Sequence, residues 1–443
     1  MVNGATTAGS PAGLVVRRLS AEDLSILALE SETVAGHMCK VIVLGEQIGL
    51  DRLRDSIRSR LQRVPELSMR LGGVDGELCW VLDPDVDVDA HVVSYFIAKP
   101  LDEAGLRAAV AGVFEERLDR SRPLWQIDLI RQLAGGGSAL IWRIHHAVAD
   151  GATAMRMASG ALWDEEPIAD APGASSAEQL SAHPGMQPVT HHRFEALRAA
   201  AREAPHPWLR SPFDGHVGAR RSVAFARVEL AGLHRVAAAT GGATVNDAVL
   251  SVVAGGLRRW LELHHGQLDS VRVKVPVSLH HPSATTAPEG ADPGNRDSFF
   301  CLDLPLESSD PVARLAAIQR ATRVRKQGHD AQHLDALMSE LAHTPRLRRF
   351  AERVLAHPRS FALNVSNVRG PREPVHVLEA PVCEFYSFAE IRELHALRIG
   401  VLSHADALTF GLVADPTLLG DVHNISRGIQ AEAAALTASY GVS

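Results

Sequence analysis

One short run in the sequence has the residue types and the spacing for proton-transfer chemistry. Residues 145–151 read His-His-Ala-Val-Ala-Asp-Gly, and they follow a short apolar run, Ala139–Ile144, that favours a buried strand. Adjacent residues on a strand point to opposite faces, so one of His145 and His146 can face a cleft while the other packs inward. An imidazole with a pKa near neutrality can take a proton from a hydroxyl group as that hydroxyl attacks a carbonyl. The run therefore predicts a general base at the end of a strand.

Asp150 and Gly151 complete this run. A carboxylate just beyond the strand can fix the imidazole ring or the loop that carries it, and glycine permits a backbone turn that other residues resist. Three other pairs of adjacent histidines occur, at residues 191–192, 264–265 and 280–281. None of them is followed by the same Asp-Gly spacing, so we expect those pairs to be structural or solvated.

Helical and strand patterns alternate on both sides of a polar stretch, and they predict the domains that position the histidine run. The stretch 164–215 begins rich in Ala, Ser, Pro, Gly and acidic residues and shows no sustained apolar period in that part. We therefore predict two α/β sandwich domains, residues 15–163 and 216–443, joined by this linker. Residues 1–14 are small and polar, which predicts a disordered tail and not a signal peptide.

Apolar periodicity predicts the individual elements. Helices are predicted at Leu19–Leu29 (with Ser20 as N-cap), Leu50–Val64, Leu101–Leu118, Thr244–Leu263, Pro311–Arg325 and Leu334–Leu355. Strands are predicted at His37–Leu44, Trp125–Ile130, Ala139–Ile144, Ser222–Leu230, Val271–Val277, Ser298–Leu304, Phe361–Val365, Leu397–Leu402 and Leu408–Val413.

Composition excludes several classes of protein. The chain is 46% hydrophobic, too apolar for a disordered protein, and it has no run of 18 apolar residues that would indicate a membrane-spanning helix. A net charge of −7 argues against a nucleic-acid partner, although a local patch could still make a weak peripheral contact with a membrane or lipid droplet. The four cysteines lie far apart without a Cys-x-x-Cys pair, which predicts no metal site and favours a reducing cytoplasm. Nucleophile-elbow, Walker A and dinucleotide motifs are absent from the sequence.

Several further blocks occur in a fixed order around the histidine run. They are Leu19–Glu30, Arg122–Trp125, Thr244–Asp247, Pro276–Ser278 with Gly294–Arg296, and Asn367–Pro371. Together with the run 145–151 they resemble the bacterial wax ester synthase/diacylglycerol acyltransferase family, within the chloramphenicol-acetyltransferase-like superfamily. The resemblance covers nearly the whole chain. It implies two chloramphenicol-acetyltransferase-like α/β sandwich domains with a substrate tunnel at their interface.

The same resemblance implies roles for the residues of the run. His146 would deprotonate the hydroxyl of an alcohol that attacks the thioester of acyl-CoA, with His145 and Gly151 in supporting positions. Acyl-CoA would then be a co-substrate, and no bound cofactor is expected. Asp150 would be structural and would pair with an arginine, for which Arg70 is the candidate.

Asn246 and Asp247 have two open interpretations. Thr244 is a natural N-cap for the helix that follows, and Asp247 at its third position favours the helix dipole, so Asp247 could be a cap only. The resemblance favours a functional role for Asn246, as part of a tunnel wall or as a hydrogen-bonding group in the transition state. Pro123 and Trp125 are expected to be scaffold, although the Trp125 ring could also line an acyl channel.

The segment Ser366–Pro371 contains Asn367, Gly370 and Pro371 in a run that we do not expect to continue a strand. Gly370 implies a tight turn or a close backbone approach, so we expect this segment to shape the tunnel. The sequence does not identify the group that stabilises the developing oxyanion. Candidates are Asn246, Ser366 and the backbone amide of Gly151.

Three functions stay open at this point. The default is transfer of a medium or long acyl chain to a diacylglycerol or a fatty alcohol, which gives triacylglycerol or wax ester. The linker 164–215 is polar and lacks a basic-amphipathic stretch, so an acyltransferase that esterifies a specialised secondary-metabolite alcohol is the first rival. A non-catalytic domain that binds an acyl carrier or a partner is the second.

Overall fold

The structure is a computed structural model. It describes residues 16–74, 76–165, 201–203, 211–278, 297–328, 330, 332–334, 357 and 359–441. The predicted tail 1–14, most of the predicted linker, nearly all of the predicted helix Leu334–Leu355 and the block Gly294–Arg296 lie outside these residues.

Strands and helices alternate along the described chain. The strands are β1 (Val16–Arg18), β2 (His37–Leu44), β3 (Met69–Val74), β4 (Glu77–Leu82), β5 (Val92–Ser94), β6 (Trp125–Ile130), β7 (Ser138–His145), β8 (Ser222–Glu229), β9 (Ser270–Ser278), β10 (Asp297–Pro305), β11 (Leu363–Arg369), β12 (His376–Val377), β13 (Ala380–Ala389), β14 (Leu397–His404) and β15 (Ala407–Ala414). The helices are α1 (Ala21–Leu27), α2 (Leu50–Arg60), α3 (Val88–His91), α4 (Glu103–Glu115), α5 (Gly151–Ala161), α6 (Leu230–Ala239), α7 (Val245–His264), α8 (Pro311–Gln327) and α9 (Val422–Ser439). Short 3-10 turns lie at Leu61–Arg63 and Pro65–Ser68.

The strands form two large sheets and a small one. One six-stranded sheet has the order β12-β13-β2-β7-β6-β5, and the other has the order β10-β9-β11-β14-β15-β8. The small sheet has the order β1-β4-β3. The first half of the chain supplies four strands of one large mixed sheet and the second half all six of the other, with helices around both, which confirms the predicted two-domain α/β architecture.

Strands β12 and β13 cross from the second half of the chain into the sheet of the first half. Strand β13 pairs antiparallel with β2, and this register sets Ala389 opposite Met38. The predicted division at the linker did not include this crossing. Because β13 also lies against β14 and β15, it joins the two large sheets.

The sequence explains why β2 and its neighbours are central. Met38 and Ile42 point into one apolar cluster, whereas Cys39 and Val41 point into another. A strand with both faces covered reads as a near-continuous apolar run, as β2 and β7 do. Helix α1 begins where Ser20 and Asp23 form a capping box, as the sequence predicted for Ser20.

Most of the predicted elements that fall on described residues are confirmed within a few residues. The prediction for Ser366–Pro371 was wrong, because β11 continues through Asn367 to Arg369. Its parallel partner β14 supplies the hydrogen bonds for this extension, with Asn367 opposite Val401. No helix among the described residues is long and apolar enough to cross a membrane.

A substitution at Gly400 tests the junction between β13 and the second sheet. A Cβ atom at Gly400 would collide with the backbone oxygen of Ser387, an atom that cannot move without displacing β13. We expect Gly400→Ala to lower the free energy of unfolding by about 1–3 kcal/mol, as measured by urea unfolding. Gly73→Ala is the matched control, because a Cβ there meets no atom within 4 Å. Equal stability of the two variants would contradict the close approach.

Candidate active site

His145 is the last residue of β7, and it is fully buried. Its Nε2 atom lies 2.7 Å from Glu30 Oε1, and the backbone N–H of Ala147 donates to its Nδ1 atom at 3.0 Å. Because Nδ1 accepts a hydrogen bond, the ring proton lies on Nε2 and is donated to Glu30. His145 is thus a structural anchor whose two ring nitrogens are both occupied.

Glu30 is a site residue that sequence analysis missed. It follows α1, and its second carboxylate oxygen lies 2.6 Å from Arg120 Nη2. Burial alone would raise the pKa of Glu30, but its hydrogen bonds with His145 and Arg120 and the positive charge of Arg120 outweigh burial and lower it. Glu30 and His145 are 115 positions apart in the chain, so no local pattern could have predicted their contact.

His146 lies in the turn after β7, and its backbone N–H donates to the carbonyl of Gly36 at 3.1 Å. Its ring atom Nε2 is shielded from solvent and has no hydrogen-bond partner among the described residues. Burial, and after it the positive charge of Arg398, lower the pKa of His146 well below its ordinary value of 6.5. The imidazole is therefore neutral at physiological pH, and Nε2 can accept a proton in the tautomer that carries the ring proton on Nδ1.

Gly36 allows the chain to pass closely under this pair of histidines. Its φ is +75°, in the left-handed region, and a Cβ atom would lie 2.8 Å from His145 Nε2 and 2.7 Å from Glu30 Cγ. Both the conformation and the space require glycine here. Gly36 thus fixes the carbonyl that holds the His146 backbone.

Asp150 is the N-cap of α5. Its Oδ1 atom accepts the backbone N–H of Thr153 at 2.6 Å, while Oδ2 is buried without a hydrogen-bond partner among the described residues. This carboxylate holds the start of the helix that follows the His-His run. The geometry agrees with a structural role for Asp150.

The proposed pairing of Asp150 with Arg70 is corrected by the structure. Arg70 lies on β3 and pairs with Asp83 at 3.9 Å. The cation whose charge acts with Asp150 is Lys40, which lies on β2 and donates to Ser387 Oγ at 2.6 Å. Burial lowers the pKa of Lys40 to about 8, and the negative charge of Asp150 opposes that shift. The sequence feature that could have indicated Lys40 as this cation is its position as a lone lysine on the otherwise apolar face of β2.

Gly151 is needed for space and not for a turn. Its φ lies outside the left-handed region, contrary to the role expected from the sequence. A Cβ atom at Gly151 would lie 2.6 Å from Val368 Cγ2 on β11. The first turn of α5 therefore rests directly on the second sheet.

Asn246 and Asn367 come together from two elements of the second half. Asn367 Nδ2 donates to Asn246 Oδ1 at 3.3 Å, at the start of α7. Asp247 has both carboxylate oxygens occupied, since Oδ2 accepts from the Thr244 amide at 2.8 Å and Oδ1 from the Thr322 hydroxyl at 2.7 Å. The capping interpretation of Asp247 therefore accounts for its bond to Thr244, while the bond from Thr322 ties α7 to α8.

Trp125 lies on β6 as part of the core. Its indole N–H donates to the Leu67 carbonyl at 2.7 Å, and its ring stacks on His91 at a centroid distance of 4.4 Å. Pro123 is buried, and its carbonyl accepts the Trp125 amide at 2.9 Å. Both residues occupy scaffold positions, and the Trp125 ring belongs to an apolar cluster.

Gly370 makes a close backbone approach, one of the two alternatives that the sequence left open. Its N–H donates to the Ser403 carbonyl at 2.9 Å, and a Cβ atom would collide with that oxygen. The carbonyl of Pro371 accepts the Ala405 amide at 2.9 Å. Within the described parts of the chain, no group of three His, Cys, Asp or Glu side chains could hold a metal ion.

Two substitutions at Asp150 separate its capping role from its charge. Asn is as good an N-cap as Asp, so Asp150→Asn should keep the cap and remove only the charge that faces Lys40. Asp150→Ala should in addition lower the free energy of unfolding by about 1 kcal/mol through loss of the cap. Thermal unfolding and turnover are to be measured for both variants. If Asp150 were a proton relay, Asp150→Asn would instead be inactive with an unchanged unfolding curve.

Two sequence models of one family match the chain. The model "Wax ester synthase/diacylglycerol acyltransferase catalytic domain" matches residues 19–186, and the model "WS/DGAT C-terminal domain" matches residues 293–437. Together they span more than half of the chain. A Mycobacterium tuberculosis (strain H37Rv) protein that carries a diacylglycerol O-acyltransferase name is 28% identical over 464 residues, with 97% of each chain covered. Another M. tuberculosis protein with that enzyme name is 29% identical over 388 residues, with 81% of each covered.

Solved structures give the same fold. The wax ester synthase/diacylglycerol acyltransferase from Marinobacter aquaeolei VT8 superposes with a TM-score of 0.72 at 23% identity, covering 96% of this chain and 100% of that one. The starter condensation domain of rhizomide synthetase, solved in complex with C8-CoA and Leu-SNAC, gives a TM-score of 0.57 at 14% identity, with 95% and 94% covered. The chain belongs to the wax ester synthase/diacylglycerol acyltransferase family, and it is an acyltransferase.

Proposed function

We propose that the protein transfers an acyl group from acyl-CoA to the hydroxyl of a lipophilic alcohol, with His146 as the general base. His146 Nε2 takes the hydroxyl proton while the alcohol oxygen forms a bond to the thioester carbon. The carbon–sulfur bond then breaks, and the same proton passes from His146 to the departing thiolate. The products are an ester and free CoA, so no covalent enzyme intermediate is required.

The observation that supports this proposal most directly is the state of His146. A base must be unprotonated and must have a lone pair available. The lowered pKa supports the first condition, and with the ring proton on Nδ1 the unpartnered Nε2 supports the second. His145 cannot replace it, since both of its nitrogens are engaged, by Glu30 and by the Ala147 amide. The pair thus divides into one anchor and one base.

The neighbours of His146 act by holding its position. The Gly36 carbonyl fixes the His146 backbone, and Asp150 ends the loop by capping α5. Val368 supports Gly151 from the second sheet. The candidates for stabilising the oxyanion are still the Gly151 amide, Ser366 and Asn246. Ser366 lies on β11 and Asn246 on α7, both in the second half of the chain.

Acyl-CoA as a co-substrate is supported by a structural neighbour. The rhizomide condensation domain, which shares this fold, was solved with C8-CoA. Family membership supports a fatty alcohol or a diacylglycerol as acceptor, which would give wax ester or triacylglycerol. Such acceptors lie in membranes or lipid droplets, and Phe96, which is 88% exposed, is an apolar side chain suited to weak peripheral contact with them.

Replacement of His146 tests the base. With palmitoyl-CoA and either hexadecanol or dipalmitoylglycerol, we expect His146→Ala to lower turnover by about 10²–10⁴-fold. Free thiol reports CoA release, and mass spectrometry reports the ester. His234→Ala on the exposed face of α6 is the matched control and should keep full turnover. Retention of more than about a tenth of the activity by His146→Ala would refute the assignment. Rapid esterification of only a polycyclic or polar alcohol would replace the proposed acceptor class.

The pH dependence of turnover provides an independent test. Because the pKa of His146 is held well below 6.5, the base stays unprotonated as the pH falls through that value. We expect the acid limb of the kcat/KM profile to have its midpoint clearly below pH 6.5.

The unfolded chain would bind a proton on this histidine near pH 6.5 while the folded chain would not, so stability falls below that pH. Enzyme held at each low pH and then assayed at neutral pH controls for this unfolding. A reversible midpoint at or above 6.5 would show that the base is not His146 in this environment.

A further inference from the structure

Side chains alternate between the two faces of β11, and the two faces meet different neighbours. Val365 belongs to the apolar cluster that contains the buried side of α7. Val368 projects toward the first sheet, where a Cβ atom at Gly151 would lie 2.6 Å from its Cγ2 atom. Successive residues of a strand project to opposite faces, so Ser366 shares the face of Val368. By the same alternation, Asn367 shares the face of Val365.

This alternation separates two candidates for stabilising the oxyanion. Asn246 Oδ1 accepts from Asn367 Nδ2 at 3.3 Å, so Asn246 lies with Asn367 on the side of β11 that carries α7. Ser366 lies on the other side, toward the first sheet. Of the two side chains, Ser366 is thus the one on the face that the loop of His146 approaches.

Two observations place His146 over this face of β11. The first turn of α5, which follows the His146 loop, rests on Val368. Arg398, which stands opposite Asn364, has the largest effect of any charge on the pKa of His146, and such effects fall with distance. Asn364 and Val368 lie two positions before and two positions after Ser366, each about 7 Å away along the strand. Ser366 therefore lies between the two points at which this face approaches the base.

The Ser366 hydroxyl has no other bond to make among the described residues. Ser366 is half-buried, and no described group forms a hydrogen bond with its side chain. Its hydroxyl is not sealed from solvent, in contrast to the buried side-chain oxygen of Asn364 on the same face. Gly400, its neighbour on β14, has no side chain that could cover it. The hydroxyl can therefore donate to an oxygen atom of a substrate.

We propose that Ser366 is the oxyanion donor of the reaction, and that its hydroxyl donates a hydrogen bond to the thioester oxygen as negative charge develops there. The inference rests on the proposed acyl transfer and adds a catalytic residue to it. When the alcohol oxygen bonds to the thioester carbon, the electron pair of the carbonyl bond moves onto the oxygen. When the carbon–sulfur bond breaks, that pair returns to form the ester carbonyl. Ser366 keeps its proton throughout.

Removal of the hydroxyl tests this role. With palmitoyl-CoA and hexadecanol, we expect Ser366→Ala to lower kcat by about 10²–10³-fold, because one oxyanion donor contributes that much. Affinity for S-hexadecyl-CoA, a thioether that lacks the carbonyl oxygen, should stay unchanged in titration calorimetry. Ser403→Ala is the matched control and should keep full kcat and affinity. Ser403 is also half-buried, and it stands opposite Arg369 on β14, on the face away from the base.

A second variant decides the matter if Ser366→Ala does not fold. Ser366→Cys keeps nearly the size of the side chain, but a thiol is only a weak donor. We expect kcat of this variant to fall at least about tenfold, with affinity for the thioether unchanged. Full kcat of a folded Ser366→Cys enzyme would contradict the role.

The outcomes separate this inference from the proposed function. A Ser366→Ala enzyme that keeps more than about a tenth of the wild-type kcat overturns the inference. A loss of thioether affinity as large as the loss of kcat also overturns it, because Ser366 would then shape the tunnel and not stabilise the transition state. If CoA release depends on Ser366 but yields no ester, the oxyanion donor is supported and the proposed acceptor is refuted. If turnover depends on Ser366 and not on His146, the donor is supported and the base is refuted.

Discussion

The antiparallel pairing of β2 with both β7 and β13 is the constraint on which the site depends. Because β2 runs opposite to its two neighbours, its first residues lie beside the last residues of both. The segments that follow β7 and β13 and the segment that precedes β2 therefore meet at one edge of the sheet. His146, Glu390 and Gly36 are brought together there, through the Gly36–His146 and Ala35–Glu390 hydrogen bonds of 3.1 and 3.2 Å. Residues that are hundreds of positions apart thus share one site.

Environment gives the two adjacent histidines different chemistry. His145 has a carboxylate at one nitrogen and a backbone amide at the other, which fixes its ring and its tautomer. His146 has no described partner for Nε2 and lies among positive charges, so that protonation is disfavoured twice, by burial and by repulsion. Identical side chains at adjacent positions are thus set apart by their surroundings, and of the two it is His146 whose Nε2 has no described partner.

Sequence patterns predicted the local parts of this arrangement. The strand before His145, the cap at Ser20 and the helix that starts after Thr244 depend on neighbouring residues, and all three are present. Contacts between residues that are far apart in the chain could not be predicted from the sequence. Glu30 lies beside His145 although 115 positions separate them, and the charge of Asp150 acts on Lys40, a residue 110 positions before it, and not on Arg70. The crossing of β13 likewise depends on register between distant strands, which a single sequence does not encode locally.

Glycines lie at the points where two parts of the chain approach each other most closely. Gly36 lies under the histidines, Gly151 rests on Val368, and Gly400 and Gly411 face the backbone of Ser387. None of these contacts leaves room for a side chain, so the loop that carries His146 has little freedom to move. Because Val368 lies on β11 and Ser387 on β13, strands from the second half of the chain have to be in place before this loop is held.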